Sequence, residues 1–192
     1  MKANSIYLIG FVGMVFIQLF FPGKMIFQSE KALHDGSTFN FTTIPVDPND
    51  PFRGKYITLR YAASSFKTDD IDGYAEGLNV YVTLEEGANG RAAVSDISFD
   101  EPTETPDYVK AKITRVRVNS EGIQHVRFQY PFDRYYLNEK VASEIEDMYR
   151  QATRDDYDNT YAVVRVRKGR AVFEDVMIQG KSIETLVGEL RK

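Results

Sequence analysis

The chain has 192 residues, 43% of them hydrophobic and 27% charged, enough for a sizeable core in one or two compact domains. A formal net charge of −4 argues against a general nucleic-acid binder, and the lack of cysteine removes disulfides, lipoprotein attachment, thiolate metal ligands and thiol nucleophiles. Only His34 and His125 are present, far apart in sequence, so a His-based metal cluster or a Ser-His-Asp triad has almost nothing to be made from.

The first predicted element is apolar. Ile6–Phe21, "IYLIGFVGMVFIQLFF", carries no charge, and continuing to Phe27 gives 22 residues. As a helix these would span ~33 Å, the thickness of a bilayer core. Lys24 can snorkel to the interface, and Pro22 can kink the exit without forbidding the span. Two rivals are a cleaved signal peptide and a buried core helix. The first expects a shorter apolar run and a small-residue cleavage site, which "FFPGKMIFQSE" lacks. The second expects a polar stripe. An uncleaved anchor fits best. A short N-terminus usually stays cytoplasmic, which would leave the remainder outside, although the flanking charges barely discriminate.

A short amphipathic tail, "KMIFQSEKALHDG", leads into strand patterns. "STFNFTTIPV", "KYITLRYAA", "LNVYVTLEE", "RAAVSDISF", "YVKAKITRVRV", "IQHVRFQY", "YAVVRVRK" and "RAVFEDVMI" show alternation or enrichment in β-branched and aromatic residues. "EEGANGR" and "RKGR" read as hairpin turns. One helix is predicted at about 138–153, with Val141, Ile145, Met148 and Ala152 on one face.

The strands repeat. "GRAAVSDISF" at 90–99 and "GRAVFEDVMI" at 169–178 share one pattern 79 residues apart. "PFRGKYITL" from Pro51 and "PFDRYYLNE" from Pro131 are 80 apart. Two landmarks in the same order suggest duplicated β units, each ending in the second strand of a hairpin, against a background of chance similarity between hairpins. The expected fold is mainly β (α+β). An N-terminal transmembrane helix with its flanks (1–33) precedes a first antiparallel β unit (34–118) and a second (119–192) that carries the helix.

The segment "VDPNDPFRGKY" reads first as a shaped corner. Each proline fixes its own φ and keeps the preceding Asp out of the helical region, Gly54 permits a tight turn, and Phe52 plugs the core. Asp47, Asp50, Arg53 and Lys55 are candidates for a partner or ligand surface, as are Arg134 and Tyr135 in "PFDRYY". Phe132, Arg134, Tyr135 and Tyr136 could form an aromatic-cationic surface, but alternate members of a strand would face the core. "DDIDGY" and "RDDYDN" resemble fragments of calcium loops without the register of an EF-hand, and read as solvated turns. Ser64, Ser65 and Lys67 are the residue types of a Ser-Lys hydrolase, with nothing further to support one. No catalytic residue, cofactor or metal site is assigned.

"GKYITLRY", Gly54–Tyr61, resembles the signature of the GDYXXLXY family of bacterial membrane-anchored proteins. Gly54, Tyr56, Leu59 and Tyr61 match, and Lys55 stands where the family has Asp. "YPFDRYYLNEKVASEIE" and "VRKGRAVFEDVMIQGKSI" are similar to its later blocks, so that the resemblance covers roughly residues 6–183. It implies no established activity and no catalytic residues. It does imply association with a polytopic membrane protein, with Phe52, Gly54, Tyr56, Leu59 and Tyr61 as the structural motif. The expected role is a non-enzymatic accessory or assembly subunit in the bacterial inner membrane, binding another envelope protein through an extracytoplasmic domain. A small-ligand or glycan sensor is the alternative, and a membrane-proximal hydrolase the third reading.

Overall fold

The computed structural model describes residues 2–45, 56–69, 73–120, 122–155 and 159–191. Helix α1 (Lys2–Asp35) contains the whole apolar run, passes through Pro22, and takes in the amphipathic tail as well. It is long and apolar enough to cross a membrane. Phe11, Phe16, Phe20 and Phe21 all project outward, each more than 60% exposed, whereas Ala32 near its end is buried.

The rest is mostly antiparallel sheet. One sheet has the order β12-β11-β10-β1-β3, from β12 (Lys181–Ser182), β11 (Arg170–Ile178), β10 (Tyr161–Arg167), β1 (Ser37–Ile44) and β3 (Arg60–Tyr61). The second has the order β4-β8-β7-β5-β6, from β4 (Ser65–Thr68), β8 (Gln124–Gln129), β7 (Tyr108–Val118), β5 (Asn79–Glu86) and β6 (Ala92–Ser98). A two-stranded ribbon pairs β2 (Tyr56–Thr58) with β9 (Arg134–Tyr136). The inward residues of both sheets meet in one apolar core that includes Phe41, Val82, Val109, Ile113, Val164 and Val176. Each such side chain, once buried, contributes about 1.5–3 kcal/mol relative to exposure.

The two repeated decapeptides occupy matching places. β6 and β11 are each the second strand of an antiparallel hairpin, and both hairpins are interrupted by a bulge at the same repeat position. Thr83 faces Asp96 and Leu84 faces Val94, leaving Ser95 extra; Val163 faces Asp175 and Val164 faces Phe173, leaving Glu174 extra. Asp96 and Asp175 are therefore equivalent. A bulge is a local irregularity, so its recurrence at one position is stronger evidence of related units than hairpin pairing alone. A further strand then lies beside the first member of each hairpin, β7 beside β5 and β1 beside β10. The chain's first strand thus belongs to the sheet of its last hairpin.

Sequence reading treated "KYITLRYAA" as one strand. It divides because Tyr56–Thr58 pairs with β9 while Arg60–Tyr61 pairs with β1. Helix α2 (Glu139–Asp155) starts after Asn138, whose side-chain oxygen accepts from the Lys140 amide. Its core face differs in one member from the expected set. Tyr149 is buried and Met148 is 38% exposed, because the stripe steps 141, 145, 149, 152. A short helix α3 (Ile183–Leu190), not anticipated, is capped by Ser182, which accepts from the Glu184 amide. It packs against α2 and β11.

The end of α1 is fastened to β10 and β11 with no linker. Arg165 donates to the Gly36 carbonyl at 3.3 Å, Arg167 to the Asp35 carbonyl at 3.2 Å and its carboxylate at 3.0 Å, and Arg170 to the Gln28 side chain at 2.6 Å. Cations beside the last carbonyls also suit the negative end of the helix dipole. Gly36 is required at the junction, since a Cβ there would lie 2.2 Å from the Ala32 carbonyl oxygen and 2.9 Å from that of Val166. Gly36→Ala should lower stability by roughly 1–3 kcal/mol through this overlap. Chemical unfolding of the full chain in detergent, compared with Gly23→Ala, where a Cβ meets nothing, checks it.

Candidate functional site

The family-like motif lies where the two halves meet. Tyr56 faces Tyr136 across the β2–β9 ribbon, and these residues stand 80 apart, the same separation as the two Pro-Phe lead-ins. At this one pair, residues separated by the repeat offset face each other, with ring centres 5.7 Å apart. The first half grips the second at this point. The Leu59 amide donates to the Asp133 carbonyl at 2.8 Å, and the Tyr61 hydroxyl donates to the Phe132 carbonyl at 2.6 Å. In return the Tyr130 hydroxyl donates to the Ala63 carbonyl at 2.6 Å.

Around these bonds Phe41, Tyr61, Tyr130 and Phe132 form a mutually contacting cluster with ring centres 4.9–5.9 Å apart. Aromatic pairs of this kind contribute about 0.5–1.5 kcal/mol each beyond burial. Leu59 and Tyr61 are buried, and Tyr56 sits half-buried at the rim. The spacing Tyr-x-x-Leu-x-Tyr follows from this position. Tyr56 belongs to the ribbon, Leu59 bridges across to Asp133, and Tyr61 enters the core from the neighbouring sheet.

Burial first, and then the nearby Tyr149 and Asp133, raise the Tyr61 phenol well above its ordinary value. Burial alone raises Tyr130. Tyr149 is pushed up to about 12 by burial, partly offset by the Thr43 hydroxyl. All three are neutral, packed phenols, and Tyr61 and Tyr130 donate fixed hydrogen bonds.

The aromatic-cationic candidates separate as strand alternation requires. Phe132 is in the core; Tyr135 turns in, edge-on to Phe173 at 5.6 Å, and its phenol is raised by burial and then by the charges of Asp175 and Glu184. Arg134 and Tyr136 face outward. Arg134 lies 4.9 Å over the Tyr56 ring, and a hydrogen bond with Tyr136, followed by Tyr56 and Asp133, raises its already high pKa. Asp47, Asp50, Arg53, Lys55, Phe52 and Gly54 lie outside the described residues, as do parts of both calcium-like stretches. Among the described residues no group of three or more His, Asp or Glu is arranged to hold a metal ion. Ser64 uses its carbonyl to accept from the Phe128 amide, while Ser65 and Lys67 project from β4 on its exposed face.

Beside the cluster is a cleft of about 490 Å³ between the Thr58–Ser65 corner and strands β7 and β8. Arg60, Arg115 and Arg127 line it together with Ser64, Thr114 and Gln129. None of the three arginines forms a salt bridge with a described residue. Sequence reading missed this grouping because its members come from three separated segments.

An apolar helix fused to a duplicated antiparallel β body, with the two halves clasped by buried tyrosines, defines a helix-bearing β protein with a structural motif at its centre. The sequence profile described as GDYXXLXY protein matches residues 18–176, most of the chain, and the chain belongs to that family. No curated protein and no solved structure matches it.

Tyr61→Phe should cost about 1–3 kcal/mol by leaving the buried Phe132 carbonyl without its donor, and Leu59→Ala about 2–5 kcal/mol by opening a cavity. Denaturant midpoints of the purified full chain measure both. The buried phenols also fix a pH dependence. Their folded values lie above the unfolded value of about 10, so the native state holds more protons than the unfolded state above that pH. The contribution is complete below pH ~10 and is lost as pH rises through the folded values, of which that of Tyr149 is about 12. Alkaline titration followed by phenolate absorbance should show exposed tyrosines ionising first, with the buried set appearing only together with loss of the fold.

Proposed function

We propose that this protein is a single-pass accessory subunit of the bacterial inner membrane, whose extracytoplasmic β domain binds another membrane protein of the envelope. The junction of α1 with β10 and β11 carries this reading. Three arginines and an obligatory glycine fasten the apolar helix to the domain without a flexible linker. A freely sampling ligand sensor has no need of such a joint, whereas a subunit that must meet a neighbour in the same bilayer gains from fixed height and orientation. The apolar, outward-facing surface of α1 and the structural character of the family motif agree with it. Arg134 and Tyr136 at the ribbon, with Arg60 at the cleft, are the described candidates for the contact; Asp47, Asp50, Arg53 and Lys55 are candidates from the sequence that lie outside the described residues.

The cleft supports a second reading, a small anionic ligand held by Arg60, Arg115 and Arg127. Purification of the full chain in mild detergent separates the two. A stoichiometric integral-membrane protein, retained by the wild type and lost with Arg60→Glu and Arg134→Glu at unchanged stability, supports the subunit reading. A released small molecule in the native mass spectrum, with no protein retained, supports the ligand reading instead. The intact mass of the membrane-extracted protein should include residues 1–27; a mass lacking them would mean a cleaved leader.

A further inference from the structure

The sequence "KAKITRVRV", Lys110–Val118, alternates twice and slips phase once. Lys110 and Lys112 face outward while Val109, Ala111 and Ile113 fill the core. Unbroken alternation would then send Arg115 and Arg117 inward. Instead the register with β8 shifts between Ile113 and Arg115, leaving Thr114 extra. The bulge puts Arg115 and Arg117 on the same outer face as the two lysines.

Neighbouring strands extend the pattern. Arg115 stands directly opposite Arg127, which stands opposite Ser65; Arg117 stands opposite His125, which stands opposite Lys67. Lys112 lies between Gln129 and Asn79, and the Lys110 ammonium lies 5.1 Å over the Tyr81 ring. One sheet face of a chain with net charge −4 thus presents Lys67, Lys110, Lys112, Arg115, Arg117 and Arg127, all exposed. None forms a salt bridge with a described residue. Carboxylates on or beside this face are Glu85 and Asp96 on β5 and β6, Glu101, which accepts from the Tyr108 hydroxyl, and Asp133, which accepts from the Gln129 side chain opposite Lys112. Like charges directly opposite one another destabilise a sheet, so this arrangement disfavours the isolated domain and suits one resting against an anionic surface.

The location of the face decides which surface. Gln28, one helical turn or ~6 Å beyond the interfacial Lys24, is held by Arg170. Next to Arg170 is Gly169, whose amide donates to Tyr108 and whose Cβ position lies 3.6 Å from the Lys110 side chain. The Lys110 end of the face is therefore pinned to the point where α1 leaves the apolar layer, and β7 runs on from there for about 23 Å. We infer that the outer face of the β4-β8-β7-β5 sheet lies on the anionic phospholipid headgroups of the membrane that α1 enters, holding the domain flat against the bilayer. The inference rests on the anchor reading above but not on any protein partner.

The test uses the full chain in nanodiscs. Because it has no cysteine, Asn79→Cys gives a single dye position on this face, read by energy transfer to an acceptor on lipid headgroups. Transfer should be low in phosphatidylcholine, rise when part of the lipid is phosphatidylglycerol, and fall again in high salt as charges are screened. Lys112→Glu, Arg115→Glu and Arg117→Glu together should reduce the docked-to-undocked ratio roughly a hundredfold, at about fivefold per lost cation. Their unfolding midpoint should be unchanged or higher, since repulsion is relieved. A chain that does not enter the nanodisc overturns the anchor reading and this one together. An inserted chain whose transfer ignores lipid charge, or survives the three reversals, overturns this one alone. So does transfer insensitive to lipid accompanied by a co-purifying acidic protein that the reversals release.

Discussion

The structure depends on the reciprocal clasp between Tyr61 and Tyr130. Each phenol reaches out of its own segment and donates to a backbone carbonyl of the other, Tyr61 to Phe132 and Tyr130 to Ala63. A carbonyl in a dry core costs heavily without a donor, and a buried phenol costs heavily without an acceptor. The four groups satisfy one another only when both lead-ins are in place. The β2–β9 ribbon, the ring cluster and the crossing of the chain from one sheet to the other all follow from that requirement. A duplicated chain could fold as two separate units, but here each half supplies what the other lacks.

The same constraint accounts for the places of the described motif residues. Its described residues serve the architecture: Tyr56 opposite Tyr136 in the ribbon, Leu59 at the bridge to Asp133, Tyr61 in the core. The Tyr61 hydroxyl is engaged by the Phe132 carbonyl, and burial keeps it neutral. Charged groups lie at the margins of the clasp, where Arg134 stacks on Tyr56 and Arg60 borders the cleft. The domain is rigid at its centre and charged around it, and the guanidinium groups of Arg165, Arg167 and Arg170 transmit that rigidity to α1. A helix joined in this way fixes the pose of the body relative to whatever surrounds the helix.

Much of this was legible beforehand. Eight strand patterns, the α2 helix, the apolar N-terminal helix and the paired decapeptides come from periodicity, because a side chain on a strand or helix must alternate between core and solvent at a fixed interval. Lys55 in place of the motif's Asp was legible too; Arg134 and Tyr135 were both read as surface candidates, and strand pairing turns Tyr135 in against Phe173. Short elements were not. β4, β9 and β12 span two to four residues, too few for a period to register, and each exists only because a longer strand or the ribbon partner offers hydrogen bonds. Tyr149 replaced Met148 on the core face of α2 for a related reason: both fit a helical stripe, and the position of the sheet beneath chose between them.

By itself, then, the sequence determined the longer strands, the helix α2, the stretch apolar enough for a membrane, and the repeated pattern, since all of these are local or periodic properties of the chain. The tertiary structure alone decided that β1 joins the last hairpin, that Tyr56 meets Tyr136, and that the bulges in the two hairpins coincide. It also decided that cations from β4, β7 and β8 share a face. Each of these is a pairing between distant segments, and strand register is set by the sum of core burial and hydrogen bonding over the whole sheet rather than by any one segment's pattern.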